Sequence, residues 1–259
     1  MRRAAVRIAY LGKDYCGSQY QPGYRTVMGD IIADLERISG GKEGDWFDLK
    51  AAGRTDRGVN ALDNVVVFNT TFDDDEELLK ALNSVSKGIF YKSAVTVDEN
   101  FNPRFANSRT YRYVLPAEGI DFGLAVECSE LFLGKHDFVR FCKVDDKPTE
   151  IDLESITVKK DGGRIVMTFT SQFFLWNMIR KIVAAVVLVA KGERTVDDVK
   201  DALNGKEINF GLARPDALTL TEVRYDYLKF NEPSRNYYEE RLDEELFADS
   251  IREDFLRSL

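Results

Sequence analysis

Two strand-like runs, Ile151–Val158 and Arg164–Thr170, flank the tetrapeptide Lys160-Asp161-Gly162-Gly163. Tight turns between antiparallel strands need residues that accept positive φ, and an Asp-Gly-Gly sequence supplies them, so this segment reads as a β-hairpin. Hairpins argue against a doubly wound parallel sheet, whose strands are joined by helical crossovers. The rest of the chain alternates strand and helix patterns. Ala5–Leu11, Asn64–Asn69, Ile89–Val97, Arg109–Leu115 and Leu218–Tyr227 read as strands, and Asp48–Ala52 leads into a Gly/Arg/Asp loop. Thr26 is a candidate N-cap for a helix whose apolar face carries Val27, Ile31, Ile32, Leu35 and Ile38. Asp74–Leu82 begins with acids and presents Leu78, Leu79 and Leu82, and Thr195 caps a short helix through Leu203. Phe174–Ala190 is apolar enough for one mainly buried helix, whereas Tyr237–Leu259 is charged and reads as a surface helix. The expected class is α+β: two similar α/β halves share a mainly antiparallel sheet with helices packed on it and an active-site cleft between them. The halves are placed at residues 1–104 and 105–230, with an acidic tail helix at 231–259.

A chain of 259 residues that is 44% hydrophobic can bury a substantial core. No stretch reaches the roughly 20 apolar residues of a membrane span, and Met1-Arg2-Arg3 leads into a strand pattern rather than a signal peptide. Cys16, Cys128 and Cys142 are odd in number and form no CxxC pair, which argues against a disulfide framework and a zinc site. These features point to a cytoplasmic, reducing environment. The net charge of −8 is unevenly spread: from Asn231 onward nine acids face four arginines, which puts −5 in the tail and −3 in everything before it. A local cationic cleft therefore remains compatible with the composition, because phosphate binding depends on where charge sits.

The segment richest in chemistry is Gly53-Arg54-Thr55-Asp56-Arg57-Gly58-Val59-Asn60-Ala61, lying between strand patterns. Two glycines bracketing an acid and two arginines can project one carboxylate into a cleft beside fixed cations, although an ordinary exposed turn has the same composition.

This nonapeptide resembles the GRTDxGVHA signature of the TruA family of tRNA pseudouridine synthases. Further blocks follow in the family's order. Tyr10-Leu11-Gly12, Gly17, Gln21-Pro22 and Thr26-Val27 are similar to its amino-terminal YDG…G…QP…TVQ pattern. Asn102-Pro103-Arg104-Phe105 with Arg109-Thr110-Tyr111-Arg112-Tyr113 resembles HARF…RxYRY, and Phe174 to Ile182 resembles FLxHMVRNI. Ala213-Arg214-Pro215 through Leu220, with Val223 and Tyr225, is similar to the closing AP..GLxLxxVxY. The blocks span most of residues 5–228.

The resemblance implies isomerisation of uridine to pseudouridine in tRNA, typically in the anticodon arm, without metal or organic cofactor, by an enzyme that commonly pairs as a homodimer. A non-catalytic RNA-binding relative of the same fold is the alternative. Asp56 matches the family's catalytic acid, which either attacks C1′ or stabilises the sugar cation and takes a proton from it. Arg180 matches the arginine that pairs with this acid and fixes its direction. Tyr111 matches the tyrosine set against the flipped uracil. Tyr113, two residues on, falls on the same strand face, so both line the cleft or the sheet's curvature separates them. Arg54 is the candidate to fill the space of the flipped nucleotide, and Thr55 beside it in the signature is a further candidate substrate contact. Arg104, Arg109, Arg112 and Lys181 are candidate RNA contacts, because such side chains bind phosphate and arginine also stacks on bases.

Asn60 and Asn177 stand where the family patterns carry histidines. They keep hydrogen-bonding capacity without titrating, so a structural or RNA-orienting role is expected, with the two positions near each other. Arg57 is larger than the alanine common at its position and adds a candidate RNA contact. His136, followed by Asp137, hints at a hydrolase triad, but no GxSxG elbow accompanies it and the same segment resembles the family's GxHDF block.

Overall fold

Valine-rich and alternating segments pair into one twisted sheet, and the computed structural model describes this fold for residues 2–146 and 148–258. Met1 and Leu259, the outer ends of the expected first half and tail helix, lie outside the described residues. In chain order the elements are β1 (Arg2–Tyr10), α1 (Val27–Ile38), β2 (Lys50–Ala51), β3 (Asn60–Thr70), α2 (Asp75–Val85), β4 (Phe90–Val97), β5 (Ser108–Pro116) and α3 (Phe122–Glu130). They continue as β6 (Gly134–Asp137), β7 (Glu150–Leu153), β8 (Ser155–Asp161), β9 (Arg164–Ser171), α4 (Met178–Ala190), α5 (Val196–Leu203), β10 (Leu218–Arg224) and α6 (Glu239–Arg257). Short 3-10 turns occupy Gly12–Asp14, Gly44–Phe47 and Val139–Phe141.

The main sheet runs β4-β1-β3-β10-β5-β9-β8, with β2 added on β3, and β6–β7 form a separate ribbon. Every pairing in the main sheet is antiparallel except one. The exception is β3–β10, where Asn60 and Ala61 lie alongside Thr219 and Leu220 in parallel. This short seam joins the strands of the two halves, and the loop carrying Asp56 enters it directly. The α+β architecture with a mainly antiparallel shared sheet is therefore as expected.

Local signals account for most element ends. Thr26 accepts from the Gly29 amide, Asp74 from Glu77 and Thr195 from Asp198, the last completed by Asp198 into a reciprocal capping box. Each such cap contributes about 1 kcal/mol by satisfying an amide that the helix leaves open. The β8–β9 hairpin turns through Gly162 at φ 57°. Ile31, Leu35, Leu78 and Leu82 from α1 and α2, and Ile182, Val183 and Val186 from α4, are buried in one hydrophobic cluster with the sheet.

Three expectations need correction. The apolar stretch from Phe174 does not start a helix: α4 begins at Met178, because Asn177 takes a left-handed conformation at φ 63° and breaks the run. Ile151–Val158 is two strands, since Glu154 separates β7, which pairs with β6, from β8, which pairs with β9. The strand expected over Leu218–Tyr227 ends at Arg224. Helix α3, which Asp121 caps by accepting from the Leu124 amide, and strand β6 are additions to the expected elements.

Candidate active site

The loop from Ala52 to Val59 is held from several sides before any side chain of the site is considered. Asn64, buried within β3, grips Gly53 at both backbone groups: its Oδ1 accepts from the Gly53 amide at 3.1 Å and its Nδ2 donates to the Gly53 carbonyl at 2.9 Å. Ser18 does the same for Thr55, its Oγ accepting from the Thr55 amide at 2.8 Å and its amide donating to the Thr55 carbonyl at 3.0 Å. The Thr55 hydroxyl is bonded to Tyr10 Oη at 2.8 Å. On the far side, Gly58 turns at φ 83° against Pro215, and a Cβ on Gly12 would sit 2.3 Å from the Val59 carbonyl oxygen. Only a residue without a side chain fits at Gly12, so the Gly12–Asp14 turn forms a wall behind the loop.

Asp56 emerges from this fixed loop. Its Oδ2 meets Arg180 Nη1 at 3.3 Å, with the arginine side chain 12% exposed and the carboxylate 31%. Arg180 is itself oriented by two neutral acceptors: Nε donates to the Ala213 carbonyl at 2.7 Å and Nη1 to Asn177 Oδ1 at 3.2 Å. Such a guanidinium is a pre-aimed cation, and its pairing leaves the other carboxylate oxygen available. The left-handed turn at Asn177 brings its amide over the first turn of α4 to reach Arg180.

Tyr111 projects from β5 onto the same face, buried, with the Phe174 ring edge-on at 5.2 Å between centroids. Its hydroxyl lies 3.8 Å from the point where a Cβ on Gly53 would stand. Burial pushes its phenol far above the ordinary range, the Arg109 cation opposes that, and the Tyr10 and Asp56 charges add to it. A phenol raised in this way stays protonated near neutral pH. Tyr113 shares the face but plays a different part. Its hydroxyl donates to the Arg214 carbonyl at 3.1 Å and supports the 213–216 segment behind Arg180.

Several expected contacts are placed elsewhere. Arg109 is buried, and its guanidinium donates to the carbonyls of Gln172, Ala52 and Arg104, so it ties three loops around Tyr111 instead of facing solvent. Thr55 is buried with its hydroxyl engaged by Tyr10, which makes it a tether of the loop. Lys181 donates to the carbonyls of Arg140 and Cys142. Arg112 is exposed on the opposite face of the sheet from Tyr111, because neighbouring strand residues alternate. Arg54, Arg57 and Arg104 are exposed, and among the described residues no partner engages their side chains. Asn60 bridges the Gly12 amide and the Asp216 carbonyl, so both family-pattern asparagines support the 213–216 segment, Asn60 directly and Asn177 through Arg180. His136 sits in the β6–β7 ribbon and bonds the Leu133 carbonyl, with no nucleophile beside it among the described residues. Asn64 and Ser18 went unnoticed in the sequence. A polar residue heading the Val65-Val66-Val67 run was the one available sign of Asn64. Among the described residues no group of three His, Cys, Asp or Glu side chains is arranged to hold a metal ion, and no helix is long and apolar enough to cross a membrane.

A family model described as tRNA pseudouridine synthase matches residues 129–226. The tRNA pseudouridine synthase A of Pyrococcus abyssi (strain GE5 / Orsay) is 39% identical over 234 residues, covering 88% of this chain and 86% of that one. That of Thermococcus sibiricus (strain DSM 12597 / MM 739) is 37% identical over 267 aligned residues, covering 99% and 100%. A solved Cbf5-Nop10-Gar1 complex superposes with a TM-score of 0.37 and 10% identity, over 71% of this chain and 44% of that one. With near-complete mutual coverage at this level of identity, the chain belongs to the TruA family of tRNA pseudouridine synthases.

Proposed function

We propose that this chain isomerises uridine to pseudouridine in the anticodon arm of tRNA, with Asp56 as the catalytic carboxylate and Arg180 as its partner. The observation that carries this reading is the single carboxylate on a backbone-clamped loop, aimed by a fixed guanidinium beside a buried tyrosine.

The chemistry asks for little else. The N1–C1′ bond breaks, the uracil turns, C5 bonds to C1′, and the C5 proton is lost while N1 gains one. The product is an isomer, so no electrons or water are consumed. Asp56 serves either by attacking C1′, its ester bond breaking as C5 bonds to C1′, or by stabilising the sugar cation and taking a proton from C2′ that it returns as C5 bonds to C1′; in both routes the fixed Arg180 keeps the carboxylate directed. Tyr111 offers its ring edge and a donor hydroxyl to the uracil. The base must first leave its stack, at a cost of a few kcal/mol. Arg54, exposed two residues before Asp56, is suited to occupy the vacated space, and Arg104 and Arg57 to contact phosphates.

Pairing of two copies, and a cytoplasmic site of action beside the tRNA pool, belong to the same reading on the strength of family membership. Light scattering tests the pairing.

The deciding experiment is pseudouridine formation in an unmodified tRNA transcript by the wild type and Asp56→Asn. The wild type should form product. The variant should bind tRNA yet lose at least about 10²- to 10³-fold in rate, the scale of removing one preorganised electrostatic group. Equal rates would remove Asp56 from the chemistry, and tRNA binding without product by the wild type would leave a binding-only relative.

A further inference from the structure

The segment between β9 and α4 exposes two aromatic rings: Phe173, over which the Arg109 guanidinium sits, and Trp176, which the chemistry at Asp56 does not use. Trp176 is 48% exposed, although it stands one residue before Asn177 and four before Arg180. Its loop is not loose. Arg109 holds the Gln172 carbonyl, Phe174 packs on Tyr111, the Met178 amide donates to the Leu175 carbonyl at 3.1 Å, and the Lys143 amide donates to the Trp176 carbonyl at 2.8 Å. The Lys143 ammonium lies 3.7 Å from the centre of the indole ring, and Lys143 is itself exposed. Two further bonds, from Lys181 to the carbonyls of Arg140 and Cys142, fasten the Lys143 segment to α4.

A half-exposed indole normally costs hydrophobic free energy that burial would recover. Here backbone hydrogen bonds hold the ring out, and a cation pairs with it. An oriented aromatic plane beside an exposed ammonium is the combination that takes an unpaired nucleotide, with the base on the ring and the phosphate at the charge. Because this loop also carries Phe174 against Tyr111 and Asn177 against Arg180, a base stacked on Trp176 is rigidly referenced to the reacting uridine.

We infer that Trp176 is the stacking platform for an unpaired base neighbouring the extruded uridine, and that Lys143 binds that nucleotide's phosphate. This rests on the proposed RNA substrate and adds residues that orient it. The pair helps select uridines with an unstacked neighbour over those inside a continuous helix.

The chain contains two tryptophans, and the other, Trp46, packs edge-on against Phe47 in the first half. In a Trp46→Phe protein, emission therefore reports Trp176 alone. Titration with an unmodified tRNA transcript should quench it saturably, at the concentration where filter retention reports binding. Trp176→Ala should weaken binding roughly 10- to 100-fold, the worth of one stacked base, with single-turnover rate at saturating RNA nearly retained and Trp176→Phe close to wild type. Lys143→Gln should lower the slope of log affinity against log salt by about one, as loss of one phosphate contact does. Bound RNA that leaves Trp176 emission unchanged overturns the inference while the isomerase reading stands. So does a Trp176→Ala loss confined to rate or folding, followed by circular dichroism. Failure to bind the transcript at all overturns both.

Discussion

Asn177 holds Arg180 with an acceptor that carries no charge, from a backbone conformation that costs most residues about 1–2 kcal/mol. The two contributions are separable. Asn177→Gly keeps the φ of 63° at no steric cost and deletes the acceptor, so single-turnover pseudouridine formation should slow about tenfold or more while the denaturation midpoint stays nearly constant. Asn177→Ala deletes the acceptor and adds backbone strain, so it should lose a similar rate and also about 1 kcal/mol of stability. A glycine variant that turns over like the wild type would remove Asn177 from the positioning of Arg180. Tyr111 makes a second residue-scale expectation. Its phenol is raised by burial, so it should stay protonated well past the pH near 10 at which an ordinary tyrosine ionises. Tyr111→Phe should therefore slow the reaction yet leave the tyrosinate absorbance of the folded protein unchanged up to about that pH. A lost early-titrating tyrosinate in the variant would contradict it.

Among elements, the loop carrying Asp56 is defined by what presses on it. Gly12→Ala would force a methyl to 2.3 Å from the Val59 carbonyl, backbone against side chain, with no flexible neighbour to yield. The Gly12–Asp14 turn or the loop must shift, and a displacement of about 1 Å suffices to cost roughly 10²-fold in rate. Activity should fall in that range with tRNA affinity changed much less; retained activity would mean the loop tolerates a displaced wall. Elements whose identity is local were legible in the sequence: three of the four helices with side-chain N-caps, the Asp161–Arg164 turn and the strands around them. The candidate site was legible as residue types, and the fold brings two of them, Asp56 and Arg180, to 3.3 Å of each other. Roles set by tertiary contact were not. Arg109 and Thr55 read as surface groups until the fold buries them, and Lys181 until it donates hydrogen bonds to two backbone carbonyls. The start of α4 was hidden because nothing in Phe174-Leu175-Trp176 breaks a helix. It is the aromatic contact of Phe174 with Tyr111 and the left-handed Asn177 that end the run.

On the scale of the whole molecule, two properties follow from where charge is buried. Tyr10, Tyr91, Tyr111 and Tyr225 are all raised above the ordinary phenol by burial. Their contribution to stability is complete below about pH 10, where unfolded tyrosines ionise, and is lost as pH rises toward the folded values. Denaturant midpoints should therefore decline steeply above about pH 10. The second property concerns α6, which buries no residue and exposes Leu242, Leu246, Phe247, Ile251, Phe255 and Leu256. Its root is fixed by Arg241, whose guanidinium donates to the carbonyls of Ser86 and Ile89 and covers the Phe90 ring. Beyond the root, Glu245 reaches Lys13 at 3.9 Å, between half-exposed side chains, and Lys13 belongs to the turn that walls the Asp56 loop. Removing residues 243–259 deletes six acids and two arginines while keeping Arg241. An exposed pair contributes about 0–1 kcal/mol, so the melting temperature should move little. RNA affinity should stay equal or rise by a factor of a few at low salt, since Lys13 is released and nearby negative charge is removed, and the gain should fade as salt screens both effects. A large loss of tRNA binding on truncation would instead make the acidic helix part of the RNA-binding surface, and would require its two arginines, Arg252 and Arg257, to outweigh the acids around them.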